Sequence, residues 1–252
     1  MKKFFHSLPV AVLLLLAACS KNNSSSGTTS FNGGNTTGQG GSMARFTIVG
    51  HYLYTVDGRS LRVFDISNPS LVQLKNSQLL GWDIEAIFPF RNKLFIASNT
   101  AMYLFNINNP EQPVQESYVQ HLTGCDPVVA NDSVAYLTIH GGNRCGSSIN
   151  ELQVYDIRNV AYPQFITRIP MNRPMGLGIK DTVLFVCDDN AGIRLFSISN
   201  PYAPRTMYIV SGDAVQDVIP MDTTLVGMMP QGLAIYDIRN LNQVSKLGEV
   251  KN

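Results

Sequence analysis

Residues 61–70 read LRVFDISNPS, and the phrase returns in altered form as LFNINNPEQP, QVYDIRNVAYP, RLFSISNPYAP and AIYDIRNLNQ. Its marker positions, Asp65, Asn106, Asp156, Ser197 and Asp237, lie 41, 50, 41 and 40 residues apart. A recurrence near forty residues means that one supersecondary unit is stacked repeatedly, because a single unit of that size cannot bury its own apolar face. Within each unit the apolar residues come in short runs, as in RFTIVG, YLYTV, LRVFDI and LVQLKNS of the first. β-Branched and aromatic residues dominate these runs, and none keeps a helical apolar stripe.

The corners between the runs are tight and polar: Gly50-His51, Arg91-Asn92, Asn131-Asp132, Lys180-Asp181 and Met221-Asp222. Two-residue corners force antiparallel neighbours, so each unit is expected to be a four-stranded meander. Units of this kind and period form propeller blades, each twisted sheet packing face to face on the next around a central channel. The expectation is an all-β chain, a β-propeller of five blades spanning residues 43–252.

The repeated phrase ends the third strand of each unit and turns into the fourth, with Asn-Pro supplying turn chemistry. The side-chain oxygens at Asp65, Asn106, Asp156, Ser197 and Asp237 are expected to accept backbone N–H groups of that turn, which explains why Asp, Asn and Ser interchange there. This structural role is preferred over catalysis or metal binding by the three aspartates. LRVFDISNP and LQVYDIRNVAYP resemble the LVIVD repeat, a hydrophobic strand ending in V-D-I/V-S and followed by N/D-P. The likeness extends over all five units and implies propeller blades. It also implies company with bacterial proteins that are secreted or lipid-anchored. The fifth unit departs, with RNLNQ in place of Asn-Pro.

The first nineteen residues, MKKFFHSLPVAVLLLLAAC, begin with two lysines and continue into an apolar run too short to span a bilayer as a helix. Leu16-Ala17-Ala18-Cys19 resembles the lipobox of bacterial lipoproteins, which implies a signal peptide over residues 1–18 and lipid on Cys19. Each acyl chain contributes roughly 0.8 kcal/mol per buried methylene, so two or three chains anchor the protein firmly. Ser20 after the lipidated cysteine points to the outer membrane of the cell envelope and indicates neither side of it. Residues 20–42 are almost free of apolar groups and rich in Gly, Ser, Asn and Thr, so a flexible tether is expected there, with a reach of about 26 Å.

The 19 Lys and Arg balance 18 Asp and Glu. Without a basic field the chain has nothing to hold a phosphate backbone, which argues against nucleic acid as a partner.

The long interval in the third unit comes from HGGNRCGSS, residues 140–148, inserted between its second and third strands. In a four-stranded blade that loop lies at the same end as the start of the first strand, so Cys125 and Cys145 are expected to meet. A disulfide closing a loop of this size would contribute about 3 kcal/mol in an oxidising compartment; a metal site or two free thiols are the alternatives. Cys187, within an apolar run, is expected to be a small core residue.

Residues near the starts of the innermost strands should ring one channel mouth. They are Arg45, Asp83, Glu85, Asp126, Arg173, Met175, Asp213, Gln216 and Asp217, with Asn143 and Arg144 contributed by the insertion. This ring is the candidate binding face. Two carboxyl groups held on either side of a glycosidic bond can hydrolyse it, so an envelope glycoside hydrolase is the alternative function. No His stands near a candidate nucleophile, and no nucleophile elbow or phosphate-cradling glycine loop occurs. No catalytic residue, metal or cofactor is assigned. The expected function is a non-catalytic, lipid-anchored binding or scaffold module of the envelope, with a protein or glycan as partner.

Overall fold

The computed structural model describes residues 40–120, 127–141 and 148–251. They form five four-stranded antiparallel sheets, each taking its strands in chain order. The first contains β1 (Phe46–Val49), β2 (Tyr52–Val56), β3 (Ser60–Asp65) and β4 (Gln73–Leu79). The second contains β5 (Ile84–Phe90), β6 (Lys93–Ser98), β7 (Ala101–Asn106) and β8 (Val114–Gln120). The third contains β9 (Val128–Ala130), β10 (Val134–Ile139), β11 (Glu151–Asp156) and β12 (Gln164–Pro170). The fourth contains β13 (Leu177–Lys180), β14 (Val183–Cys187), β15 (Ile193–Ser197) and β16 (Arg205–Val210). The fifth contains β17 (Asp217–Pro220), β18 (Thr224–Met229), β19 (Gly232–Asp237) and β20 (Ser245–Lys251). The fold is a five-bladed β-propeller, as the repeat predicts.

The repeated phrase has one geometry throughout. Every blade carries a register shift between its third and fourth strands immediately before the marker, at Val63/Phe64, Leu104/Phe105, Val154/Tyr155, Leu195/Phe196 and Ile235/Tyr236. Such a bulge increases local twist and ends the pairing. The marker side chain then accepts the N–H two residues on: Ser67 to Asp65, Asn108 to Asn106, Arg158 to Asp156, Ser199 to Ser197 and Arg239 to Asp237. A second turn follows at Asn68, Asn109, Asn159, Asn200 and Asn240, whose Oδ1 atoms accept from residues two further on. Asn240 makes this bond although Leu241 stands where the other units but the third have Pro, so the side-chain turn does not need the proline.

Alternation along the strands sends one set of side chains to the preceding blade and the other to the following blade. Four core clusters result. Val49, Tyr54, Val56, Leu61 and Val63 of blade 1 meet Ile87, Leu94, Ile96, Phe105 and Ile107 of blade 2. Phe95 and Leu104 continue the pattern into Leu137, Tyr155 and Ile157 of blade 3. Tyr136 and Val154 meet Leu184, Phe196 and Ile198 of blade 4. Phe185 and Leu195 meet Leu225, Tyr236 and Ile238 of blade 5. Tyrosine hydroxyls add bonds between neighbouring blades: Tyr54 donates to the Pro110 carbonyl at 2.9 Å and Tyr136 to that of Pro201 at 2.8 Å.

Between blades 5 and 1 no such cluster forms among the described residues. The phrase's aromatic residue and the Ile two places later are buried against the preceding blade in blades 2 to 5, as in Phe105 and Ile107 or Tyr236 and Ile238. Their counterparts in blade 1, Phe64 and Ile66, are only half-buried. The facing position of the second strand holds Tyr54, Phe95, Tyr136 and Phe185 in the first four blades, all buried. In blade 5 it holds Val226, half-buried, and Met228 and Leu233 on the same face stay 39% and 43% exposed. A small side chain thus stands where the other seams insert a ring.

At the inner radius this seam is held by the segment preceding β1. A turn closed by Ala44 N–H on the Gly41 carbonyl places Ser42 at 1% exposure. The Oγ of Ser42 donates to Asp217 and accepts the Leu177 N–H, while Met43 N–H donates to the other Asp217 oxygen. The Ala44 carbonyl accepts from Ile87. Residues 40–44 therefore bridge blades 2, 4 and 5 inside the channel. Gly41 and Ser42, expected to be the last two residues of the tether, are packed parts of the propeller.

Candidate functional site

The segment in the channel leaves a cavity at each end. At the end where the inner strands finish, Gly40 lies with Phe88–Phe90, Val129, Leu177–Ile179, Val218 and Pro220 around about 250 Å³. That lining is apolar apart from its backbone, with no side chain suited to recognition. At the end where the inner strands start, a second cavity of about 250 Å³ is lined by Met43, Arg45, Glu85, Ala86, Pro127, His140 and Met175.

Each wall has a local cause. Arg45 precedes β1 and is fixed by its carbonyl, which accepts Val56 N–H at 2.8 Å. Glu85 is the extra residue of a β-bulge: Ile84 pairs with Ser98 and Ala86 with Ala97, so Glu85 has no partner across the ladder. Bulges re-aim a side chain that regular pairing would send elsewhere. Asp83, just upstream, has a left-handed backbone with φ of 53°, and Asn99 ties it down through both its backbone N–H and its side-chain amide. Pro127 and buried His140 come from the start of β9 and the end of β10, at the same end of blade 3. Met175 N–H donates to the Cys187 carbonyl just before β13.

Burial raises the pKa of the Glu85 carboxyl; Arg45 opposes that shift and Asp83 reinforces it. Neither the Arg45 guanidinium nor the Glu85 carboxylate forms a hydrogen bond or ion pair with a described residue. Opposite charges thus face one cavity without closing on each other.

The other acids of the expected ring are occupied elsewhere. Asp213 accepts from the Tyr236 hydroxyl at 2.7 Å and from Lys246 at 3.0 Å, which together hold its pKa down. Asp217 lies beneath the channel segment at 6% exposure rather than on the mouth. Burial raises its pKa to about 6 against the pull of its N–H and hydroxyl donors. Its carboxylate is gripped so closely that a Cβ at Gly41 or Gly176 would stand 2.1 Å from one of its oxygens. Arg173 is turned toward Asp189, and its backbone N–H donates to Asp188. Buried Asp188 also accepts from Asn172 N–H and Arg194, so the CDDN stretch organises its own loop. Cys187 is fully buried, and burial pushes its thiol well up. Among the described residues no group of three or more His, Cys, Asp or Glu is arranged for a metal. Asp126, Asn143, Arg144 and the Cys125–Cys145 pair lie outside the described residues.

Sequence reasoning named Arg45, Glu85 and Met175, and the structure brings them together. It missed His140, Met43, Ala86 and Pro127. The first stands at the edge of the insertion and the second is the first residue expected in the propeller; neither carries a local motif. It also missed the sole tryptophan. Trp82, 66% exposed, lies on the same side of blade 1 with the Arg59 guanidinium 3.4 Å from a ring centroid.

Residues 40–79 match the family model described as the LVIVD repeat. No curated protein matches the chain. Similar solved structures include a protein from Lactobacillus plantarum, with a TM-score of 0.66 at 11% identity over 81% of this chain and 73% of that one. A periplasmic gluconolactonase from Pseudomonas aeruginosa gives 0.61 at 12% identity over 82% and 67%. The computationally designed protein Ika8 gives 0.57 at 13% identity over 82% and 59%. At such identities the likeness is one of fold. The chain is a five-bladed β-propeller whose first blade carries a recognised LVIVD repeat.

Proposed function

We propose that this protein is a non-catalytic binding module, anchored to the cell envelope through lipid on Cys19, which takes its ligand at the channel mouth. The observation that carries the reading is the bulged Glu85 and Arg45 facing one cavity without a direct partner among the described residues. A half-buried carboxylate such as Glu85, with no partner among the described residues, is costly, and the site gains when a ligand supplies a donor to it and a carboxylate to the exposed Arg45. The alternative, glycoside hydrolysis, requires two carboxyl groups flanking the bond. Only Glu85 among the described acids lines this cavity, and the likeness to a gluconolactonase adds a fold without a second carboxylate.

The anchor is tested by Cys19→Ser, which should release the protein from the membrane fraction. Binding is tested by thermal shift of the detergent-solubilised protein against envelope peptides, muropeptides and glycans. At least one should raise the Tm of the wild type and leave Glu85→Ala unmoved. Mass-spectrometric evidence that a glycan is cleaved would instead favour the hydrolase.

A further inference from the structure

Resting on that reading, the cavity also indicates the class of its ligand. It is small: about 250 Å³ lies below the roughly 300–1,000 Å³ usual for drug-sized ligands. Its two charged side chains are of opposite sign, and neither is satisfied by a described residue. Had Arg45 and Glu85 paired, the site would present a neutral surface. Kept apart, they present separate positive and negative poles. A guanidinium favours a planar carboxylate, and a carboxylate favours an ammonium or another strong donor.

Apart from the buried His140, the remaining wall is apolar. Met43 and Met175 are adaptable thioethers, and Ala86 and Pro127 add smooth surface. No Phe, Tyr or Trp lines the cavity among the described residues, so it lacks the broad ring on which a sugar face usually stacks. Glu85 is set by a bulge within the sheet, and the main chain of Arg45, just before β1, is tied to the end of β2 through its carbonyl.

We propose that the channel mouth binds a small zwitterion of the α-amino-acid type, its carboxylate on Arg45, its ammonium on Glu85 and an apolar side chain against Met43 and Met175. The charged poles discriminate, since a ligand lacking the ammonium leaves the half-buried Glu85 unpaired and one lacking the carboxylate forgoes the charge-assisted bonds to Arg45.

Isothermal titration of the detergent-solubilised protein with L-leucine and L-methionine tests this. The comparison ligands are 4-methylpentanoate, which lacks the ammonium, isoamylamine, which lacks the carboxylate, and N-acetylglucosamine. An amino acid should bind, and each truncated analogue should bind at least about tenfold more weakly. Glu85→Gln should erase the preference for leucine over 4-methylpentanoate, and Arg45→Gln the preference for leucine over isoamylamine. Circular dichroism matching the wild type confirms that the variants are folded. Equal binding of the truncated analogues, or no heat from either amino acid at millimolar concentration, overturns the ligand class. If N-acetylglucosamine or a muropeptide binds while the amino acids do not, the ligand class falls and the binding function stands. If nothing offered in either experiment binds, both fall.

Discussion

Ser42 and Asp217 are 175 residues apart in the chain and share a buried hydrogen bond of 3.0 Å. The bond joins the segment before the first blade to the inner strand of the last. It lies where side-chain packing between those blades is weakest, so a polar contact does here what apolar clusters do at the other four seams.

Removing the acceptor should therefore be costly. Asp217→Ala leaves the Ser42 hydroxyl and the N–H groups of Met43 and Val218 without their partner. Buried donors left unmade cost about 1–3 kcal/mol each, reduced where water enters. A loss on the order of 3 kcal/mol in urea unfolding is expected, and Ser42→Ala should cost less, about 1–2 kcal/mol.

The same carboxyl sets a pH dependence of known sign. Its folded pKa of about 6 exceeds the ordinary 3.8. Between those values the native state holds a proton that the unfolded chain has released, so Asp217 stabilises the fold below pH 3.8 and that contribution is lost as pH rises through 6. At about 1.4 kcal/mol per pH unit the swing is at most about 3 kcal/mol. Carboxylates held low, such as Asp156 and Asp213, act in the opposite direction, losing stability as pH falls. The measurement is thus a difference: wild type minus Asp217→Asn should fall between pH 4 and 6. Carbon-13 shifts of the Asp217 carboxyl should titrate near 6.

The open seam should show in parallel truncations. Phe105 is fully buried against blade 1, whereas Phe64, its counterpart, has no sealed neighbour. Phe105→Ala is expected to cost about 3–5 kcal/mol and Phe64→Ala less than about 2 kcal/mol. Hydrogen exchange should be faster in β1–β3 than in β5–β7, since local opening follows the weaker packing. Equal costs and equal protection would mean that the seam closes in solution.

The cysteines separate by environment. Cys187, buried and with its thiol pushed up, should be alkylated only after denaturation. An unreduced digest should yield Cys125 and Cys145 in linked peptides, and loss of that link should cost about 3 kcal/mol. Linkage of Cys187 to either would contradict the placement of β14.

The blades were legible because their signals are local: alternating strands, two-residue corners and a phrase whose Asx chemistry needs only neighbouring residues. The seam was legible too, in Val226 standing where Tyr54, Phe95, Tyr136 and Phe185 recur, but only once side-chain direction assigns that position to the following blade. The role of Ser42 was hidden, since Gly-Gly-Ser reads as linker until Asp217 is seen to need donors and room. At the mouth, Arg45 and Glu85 followed from blade phase. The cavity did not, because its walls come from four separate units and from a bulge with no motif of its own. Asp213 and Asp217 shared that phase, and local partners, Tyr236 and Lys246 for one and Ser42 and Met43 for the other, withdraw them from it.

The most direct test of the binding site is a crystal structure of the protein grown with the amino acid that binds best. Density bridging Arg45 and Glu85, with the side chain against Met43 and Met175, is the expected result. An empty mouth with the ligand seated elsewhere, for instance on the exposed Trp82 and Arg59, would contradict it.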